Sequence, residues 1–452
     1  MLPTRPPDVL AHGLGGRTDL PLDAGAAMAG GAVAVAVSFL ALAALRRRPW
    51  LDPERGRALP PVVARVVDHP AVRGTARGVV LVLTLLVAVI GLVGPPATED
   101  NLAPWVLYVV FWVGLAVVSP LLGPVWRAVN PVRTLARLLR RSSAPSGRRR
   151  LPERLGYLPA AAVLAGFVWL ELVAPARADP RLVGALVLGY LAVTLVLVAV
   201  YGEQWCARGD GFEVLSTQLA RLAPVARRAD GTLVLRNPLA GLVGRETERR
   251  GARPVGGDQV PHLAVVLVVL LGSTGFDGLS RTTWWAPYGD SVAAGTLGLA
   301  ASVVAVGVLY GAAVRLTALA SGSAPRAGRT GSDRASFAST LVPIALGYTV
   351  AHYSSFLLVE GQTAAILASD PFATGLDLFG TAERTVDLRV VSPTVVAAVQ
   401  VNAIVLGHVA ATVAAHDLAL RHDRDRARLG QIPLVVAMIV LTCAALGLLV
   451  SG

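Results

Sequence analysis

Residues 25–48 read GAAMAGGAVAVAVSFLALAALRRR: an apolar run with no charge, closed by Arg46, Arg47 and Arg48. About 20 apolar residues suffice for a helix to cross the hydrocarbon core of a bilayer. Arginines at the end of such a run hold that end on the cytoplasmic side. The same unit recurs along the chain. Apolar spans fall near 78–95, 103–123, 157–175, 182–202, 260–276, 291–314, 337–359, 393–415 and 432–450. The shortest, 260–276, starts at Pro261-His262.

The basic residues fix the sidedness. All 41 are arginine, and 34 of them lie in five alternate connections, 46–77, 124–156, 203–259, 315–336 and 416–431. The other seven are Arg5, Arg17, Arg177, Arg181, Arg281, Arg384 and Arg389. Removing any one span would break this alternation, so the short sixth span belongs in the count. The expectation is an all-α polytopic membrane helix bundle of about ten transmembrane helices with both termini outside. Residues 1–24 then form an outward leader, and 25–452 form the bundle. The bundle carries a long cytoplasmic loop at 203–259 and an acidic outer loop at 360–392, where Glu360, Asp370, Asp377, Glu383 and Asp387 face only Arg384 and Arg389. The location expected is the cell (inner) membrane.

Composition agrees with a membrane setting. Hydrophobic residues are 54% and charged residues 15%, with a mean hydropathy of +0.60. Soluble domains carry about 25% charged residues. A net charge of +12 would suit a nucleic-acid binder, but the arginines flank apolar spans, where they meet anionic lipid. The partners expected are therefore membrane lipid and a lipophilic small molecule, and no nucleic acid. Cys206 and Cys443, the two cysteines, exclude a disulfide scaffold. No charged segment followed by a short apolar run precedes the first span, so that span is expected to act as its own insertion signal. Two further stretches, Trp126–Arg141 and Gly211–Leu222, read as amphipathic segments on the inner membrane surface.

Ionisable residues within a membrane mark candidate sites. His352, His408 and His416 follow the small residues Ala351, Gly407 and Ala415, which let neighbouring helices approach. Depth separates His352 from His408 by about 12 Å at 1.5 Å rise per residue. One metal ion with bonds near 2 Å cannot hold both. Two polar layers follow. Glu171, Asp277, His352, Glu360 and Gln400 form an outer one, and Glu203, His408, His416 and Asp417 an inner one. The outer layer suggests an outward-opening pocket of Asp277, His352, Glu360 and Gln400, roofed by His12 and Trp284. His352, Asp277, Glu360 and His12 are the residue types that bind a divalent metal ion and activate water on it. Hydrogen bonding between helices together with interface anchoring is the commoner meaning of such an outer set, and a solvated helix end that of His416 and Asp417. The Trp284-Trp285 pair reads as part of an aromatic belt.

Several stretches carry a family resemblance: AHGLGGRTDLP at 11–21, GPVWRAVNPVRTL at 123–135, FVWLELV at 167–173, RGDGFEVLSTQLARLAP at 208–224, GSTGFDGLSRTTWW at 272–285 and GHVAATVAAHDLAL at 407–420. Together they resemble a bacterial multi-span membrane family known as fenitrothion hydrolase. The resemblance implies a multi-span membrane protein and hydrolysis of a lipophilic phosphotriester; it carries no catalytic residue set. Two other classes stay open. One is a proton-coupled transporter, in which buried His and carboxylates relay protons; the other is a non-catalytic assembly partner for membrane proteins.

The charge pattern predicts that reporter fusions after Arg48 and Arg150 read as cytoplasmic and fusions after Glu99 and Asp377 as external. One firm reversal among the four contradicts the topology.

Overall fold

The computed structural model describes residues 24–139, 149–244, 260–320, 337–422 and 430–451. Ten apolar helices organise them: α1 (Ala24–Leu45), α2 (Pro70–Val93), α3 (Leu102–Leu122), α4 (Leu158–Leu172), α5 (Pro180–Tyr201), α6 (Val260–Ser280), α7 (Val292–Ala320), α8 (Leu341–Leu367), α9 (Pro393–His422) and α10 (Ile432–Ser451). Among the described residues, nine are long and apolar enough to cross a membrane. The chain is an all-α, multi-pass membrane bundle.

The helix that falls short is α4, not the sixth. Its 15 residues rise about 22 Å, less than the ~30 Å hydrocarbon core. Its ends nevertheless reach opposite sides. Before it, the Arg149 amide donates to Val200 O and the Arg208 guanidinium to Leu151 O. After it, Arg177 O accepts from the Tyr108 hydroxyl and Ala178 O from Thr98. The short helix Gly211–Leu219 packs against the first turns of α4, so protein covers part of the missing length. A side chain at Gly211 would strike Ala160 O at 2.8 Å.

Connections grouped by arginine content also meet in space. Strands β1 (Arg57–Ala58), β2 (Val225–Arg227) and β3 (Leu233–Leu235) form an antiparallel sheet in the order β1-β3-β2, joining the connection after α1 to the one after α5. The Asp417 carboxylate accepts from the Trp50 and Leu51 amides at 2.6 and 3.0 Å, tying the end of α9 to the same face.

α6 and α8 are central, with 67% and 61% of their apolar windows buried, against 6% for α7. The outward Leu and Val of α1, α2, α5 and α7 are exposed, as lipid-facing residues are. Small residues set the central packing. α8 and α9 cross at Gly347 and Gly407, where a Cβ on Gly347 would lie 2.4 Å from Ala403 O and one on Gly407 2.6 Å from Pro343 O.

Two sequence expectations are corrected here. Gly211–Leu219 is buried between helices rather than on the membrane surface; Phe212, Glu213, Val214, Leu215 and Leu219 are all inside. Its Phe212 ring meets Phe111, Trp112, Phe167 and Tyr190. Irregular backbone is tolerated at such a place because protein, not lipid, surrounds it. Helix Pro131–Leu139, within the Trp126–Arg141 stretch, is likewise mostly buried, with only its last turn (Arg137, Leu138, Leu139) exposed. The reason is a polar knot. Arg133 makes a bidentate pair with Glu213 at 2.8 and 2.7 Å, and Asn130 donates to Asp210 and Glu213 at 2.8 and 3.0 Å. Asp210 also caps Gly211–Leu219 by accepting from the Phe212 and Glu213 amides. Burial, followed by the Glu213 charge, pushes the Asp210 carboxyl up to about 6.

Because Asp210 binds its proton more tightly folded than unfolded, its ionised form costs stability above pH 6. That cost falls as pH drops from 6 towards 4, and amounts to on the order of 3 kcal/mol. Asp210→Asn, which keeps a capping side chain, should flatten this part of the unfolding-versus-pH curve. Glu213→Ala, which removes the buried partner of Arg133 and leaves it only the exposed Glu203 carboxylate, should cost about 3 kcal/mol at neutral pH. An unchanged curve in Asp210→Asn contradicts the first expectation, and a neutral Glu213→Ala the second.

Candidate functional site

The site lies where α4, α6 and α8 meet. Asp277 on α6 has no exposed surface. Its carboxylate faces three side chains. His352 Nε2 approaches Oδ2. The Tyr353 hydroxyl lies 3.4 Å from the same oxygen, and Arg281, one turn along α6, donates at 3.3 and 3.4 Å. The Tyr353 hydroxyl also stands 3.5 Å from Glu171 Oε1 on α4. Tyr353 therefore bridges two buried carboxylates by a shared, long hydrogen bond. Glu171 is 6% exposed, and the His352 side chain 12%. The order Glu171–Tyr353–Asp277–His352 runs from the interior to the one member with an open edge.

Local sequence explains the placement. Asp277 and Arg281 sit at i and i+4, so both lie on one face of α6. His352 and Tyr353 are neighbours on α8 and diverge by a helical step, yet their rings stand edge to face at 5.0 Å and both reach Asp277. In α3, residues Val106–Val113 are wound as π-helix, a rare form frequent at functional sites. This stretch carries Tyr108 and Trp112 towards α4 and α8, and the Trp112 indole reaches the Tyr353 hydroxyl.

Beside Glu171 and Tyr353 lies a narrow cavity lined also by Trp112, Ser273, Thr274 and Thr349 and by apolar side chains that include Leu215. It has room for about one water molecule.

Of the residues singled out from the sequence, Asp277 and His352 come together. Glu360 does not join them. α8 runs on to Leu367, so Glu360 lies within the helix, not at the start of the outer loop. It stands about 12 Å beyond His352 along the axis and bonds Thr363 of its own helix. Gln400 is half-buried and makes no hydrogen bond to the Asp277–His352 pair. His12 lies outside the described residues. Among the described residues, no group of three or more His, Cys, Asp or Glu side chains is placed to hold a metal ion, so the four-residue metal set is not assembled there. Trp284, expected as a roof, is 67% exposed and does not line the cavity.

The inner layer also separates. His416 and Asp417 are fully buried, contrary to a solvated helix end, because α9 continues to His422 beneath the connection after α1. His416 lies between Gln431 Oε1 and Arg46 O, each at 3.2 Å. His408, also buried, bonds Ile404 O through Nδ1, while its Nε2 has no partner. The Glu203 side chain is 62% exposed and pairs with Arg133 instead. Sequence reasoning missed Tyr353 and Arg281. The Asp277/Arg281 spacing was a usable signal; Tyr353 had none beyond adjacency to His352.

No family model, curated protein or solved structure matches the chain, so the reading of the site comes from its own geometry.

Asp277 has at least three side-chain partners, whereas the hydrogen bond of His352 runs to Asp277. Asp277→Ala should therefore destabilise the detergent-solubilised protein by about 3–5 kcal/mol, and His352→Ala by about 1–2 kcal/mol. Thermal unfolding of the two variants checks the order; the reverse order contradicts a central role for Asp277.

Proposed function

We propose that this is a proton-coupled transporter of the cell membrane, with its arginine-rich connections in the cytoplasm and both termini outside. The observation that carries the reading is the continuous chain Glu171–Tyr353–Asp277–His352, buried in the most enclosed helices and linked at every step by a hydrogen-bonding side chain. Carboxylates at membrane depth are costly and serve proton relays when they line up with His and hydroxyl groups. A proton taken by His352 passes to Asp277. The Tyr353 hydroxyl then carries it to Glu171 by giving up its own proton and accepting the incoming one. Arg281 offsets the negative charge left on Asp277 between transfers.

A second reading is hydrolysis of a lipophilic phosphotriester, as the family resemblance implies. The observation that favours it is the buried carboxylate of Asp277 behind the ring of His352. That arrangement orients an imidazole as general base. A substrate dissolved in the bilayer would approach the exposed edge of His352.

The two readings separate in reconstituted liposomes. For the transporter, wild-type protein should pass protons under an imposed membrane potential faster than protein-free liposomes, and Asp277→Asn and Tyr353→Phe should lower that flux to background. For the hydrolase, fenitrothion cleavage should depend on His352 and not on Glu171. Proton flux equal to that of empty liposomes overturns the first reading, and cleavage unchanged in His352→Ala the second.

A further inference from the structure

The two amphipathic stretches expected on the membrane surface are buried, but a third helix has an open apolar face. Pro61–Asp68, between β1 and α2, reads PVVARVVD. On a helix of 3.6 residues per turn Val62, Val63, Val66 and Val67 fall on one side, and Arg65 and Asp68 on the other. The polar side is tied to the protein. Asp68 accepts from Arg227 of β2 at 2.7 Å and pairs with Arg73 of α2. Arg73 also donates to Val67 O at 3.0 Å, and His69 Nδ1 accepts from the Ala71 amide at 3.3 Å. These contacts hold the corner at His69-Pro70, so the direction of the helix relative to α2 is set. The valine side has no such cover. Val62, Val66 and Val67 are 51%, 55% and 47% exposed, and no residue of this helix is fully buried.

Water is a poor setting for such a helix. Isolated helices shorter than about 12 residues are marginal in water, and β-branched valines lose rotamer freedom in one. The valine face needs a partner, and its place and charge say which. α2 starts at Pro70, just past His69, and is itself a membrane span that exposes Val72, Val79 and Val82. Pro61–Asp68 therefore stands where that span leaves the bilayer. Exposed Arg57, Arg65 and Arg73 lie along the same stretch, and their charge suits headgroup phosphates. A helix with one apolar face and arginine on the other lies in the plane of the membrane interface. We propose that Pro61–Asp68 is an interfacial helix, seated in the leaflet on the arginine-rich side with its valines among the acyl chains and its arginines at the phosphates. The assignment is independent of both functional readings. Through Asp68 and Arg227 the seated helix fixes the β1-β3-β2 sheet against the lipid surface.

Spin labels on the full-length protein in nanodiscs of phosphatidylcholine and phosphatidylglycerol test the seat. Val66→Cys and Arg65→Cys are labelled separately, and wild-type protein treated with the same reagent gives the background from Cys206 and Cys443. Collisions with oxygen, which concentrates in the bilayer, are compared with collisions with a water-soluble nickel chelate. The label at Val66 is expected to favour oxygen and to lie about 5–10 Å below the headgroup boundary, whereas the label at Arg65 favours the chelate. Val62→Cys repeats the reading at the other end of the valine face, so misfolding of one variant leaves the test intact. A label at Val66 as open to the chelate as the one at Arg65 overturns the proposal. So does a label shielded from both reagents, which means that protein covers the face, and so does spin–spin broadening at Val66, which means that a second copy does.

Discussion

A carboxylate cannot be left bare in hydrocarbon, and Asp277, with no exposed surface in a central helix, is the group that makes the bundle organise itself. Its partners come from its own helix (Arg281) and from α8 (His352 and Tyr353), and Tyr353 extends the network to Glu171 on α4. Each contact constrains a helix pair. α6 and α8 are the most buried of the long helices, and the short α4 is held against them with a second carboxylate facing inward. Removing a buried ion-pair partner in such a setting costs more than the pair contributes, because the remaining charge has no solvent to turn to.

The opposite face depends on a second set of buried carboxylates. Asp417 takes two backbone amides from the connection after α1, and Arg421 closes the same loop. Glu213 holds Arg133, and Asp210 caps the inserted helix Gly211–Leu219. These contacts anchor the arginine-rich connections to helix ends. Connections that share a high arginine content thereby also share one face of the bundle.

Much of the architecture was legible because hydrophobic length and arginine position are one-dimensional signals. The apolar runs appear as helices, including the doubtful run starting at Pro261-His262. Helix ends were misread: α9 passes His416 and Asp417, which are buried because protein partners replace solvent there, and α8 passes the half-buried Glu360. The shortness of α4 was not legible. Val173 and Ala174 continue the apolar run, yet the helix stops at Leu172, and the inserted helix that packs against it is distant in sequence. The site was half legible. Depth arithmetic paired Asp277 with His352 and put Glu171 in the same layer, since rise per residue is regular. Depth says nothing of rotation about the helix axis, so Gln400 was grouped with the pair and Tyr353 was not; Glu360 was grouped because the helix was expected to end before it, whereas α8 carries it about 12 Å beyond His352. The π-helical turn that brings Trp112 to Tyr353 leaves no periodic mark in a uniformly apolar run.

The shared hydrogen-bond network around Asp277 is the claim on which the fold of the centre and the chemistry both rest. A double-mutant cycle between Asp277→Asn and Tyr353→Phe, measured by unfolding of the purified protein in detergent, tests it most directly. Side chains in one network couple by about 0.5–3 kcal/mol, whereas distant ones add within about 0.5 kcal/mol. A coupling of about 1 kcal/mol or more is the expected result; additivity of the two substitutions would contradict it.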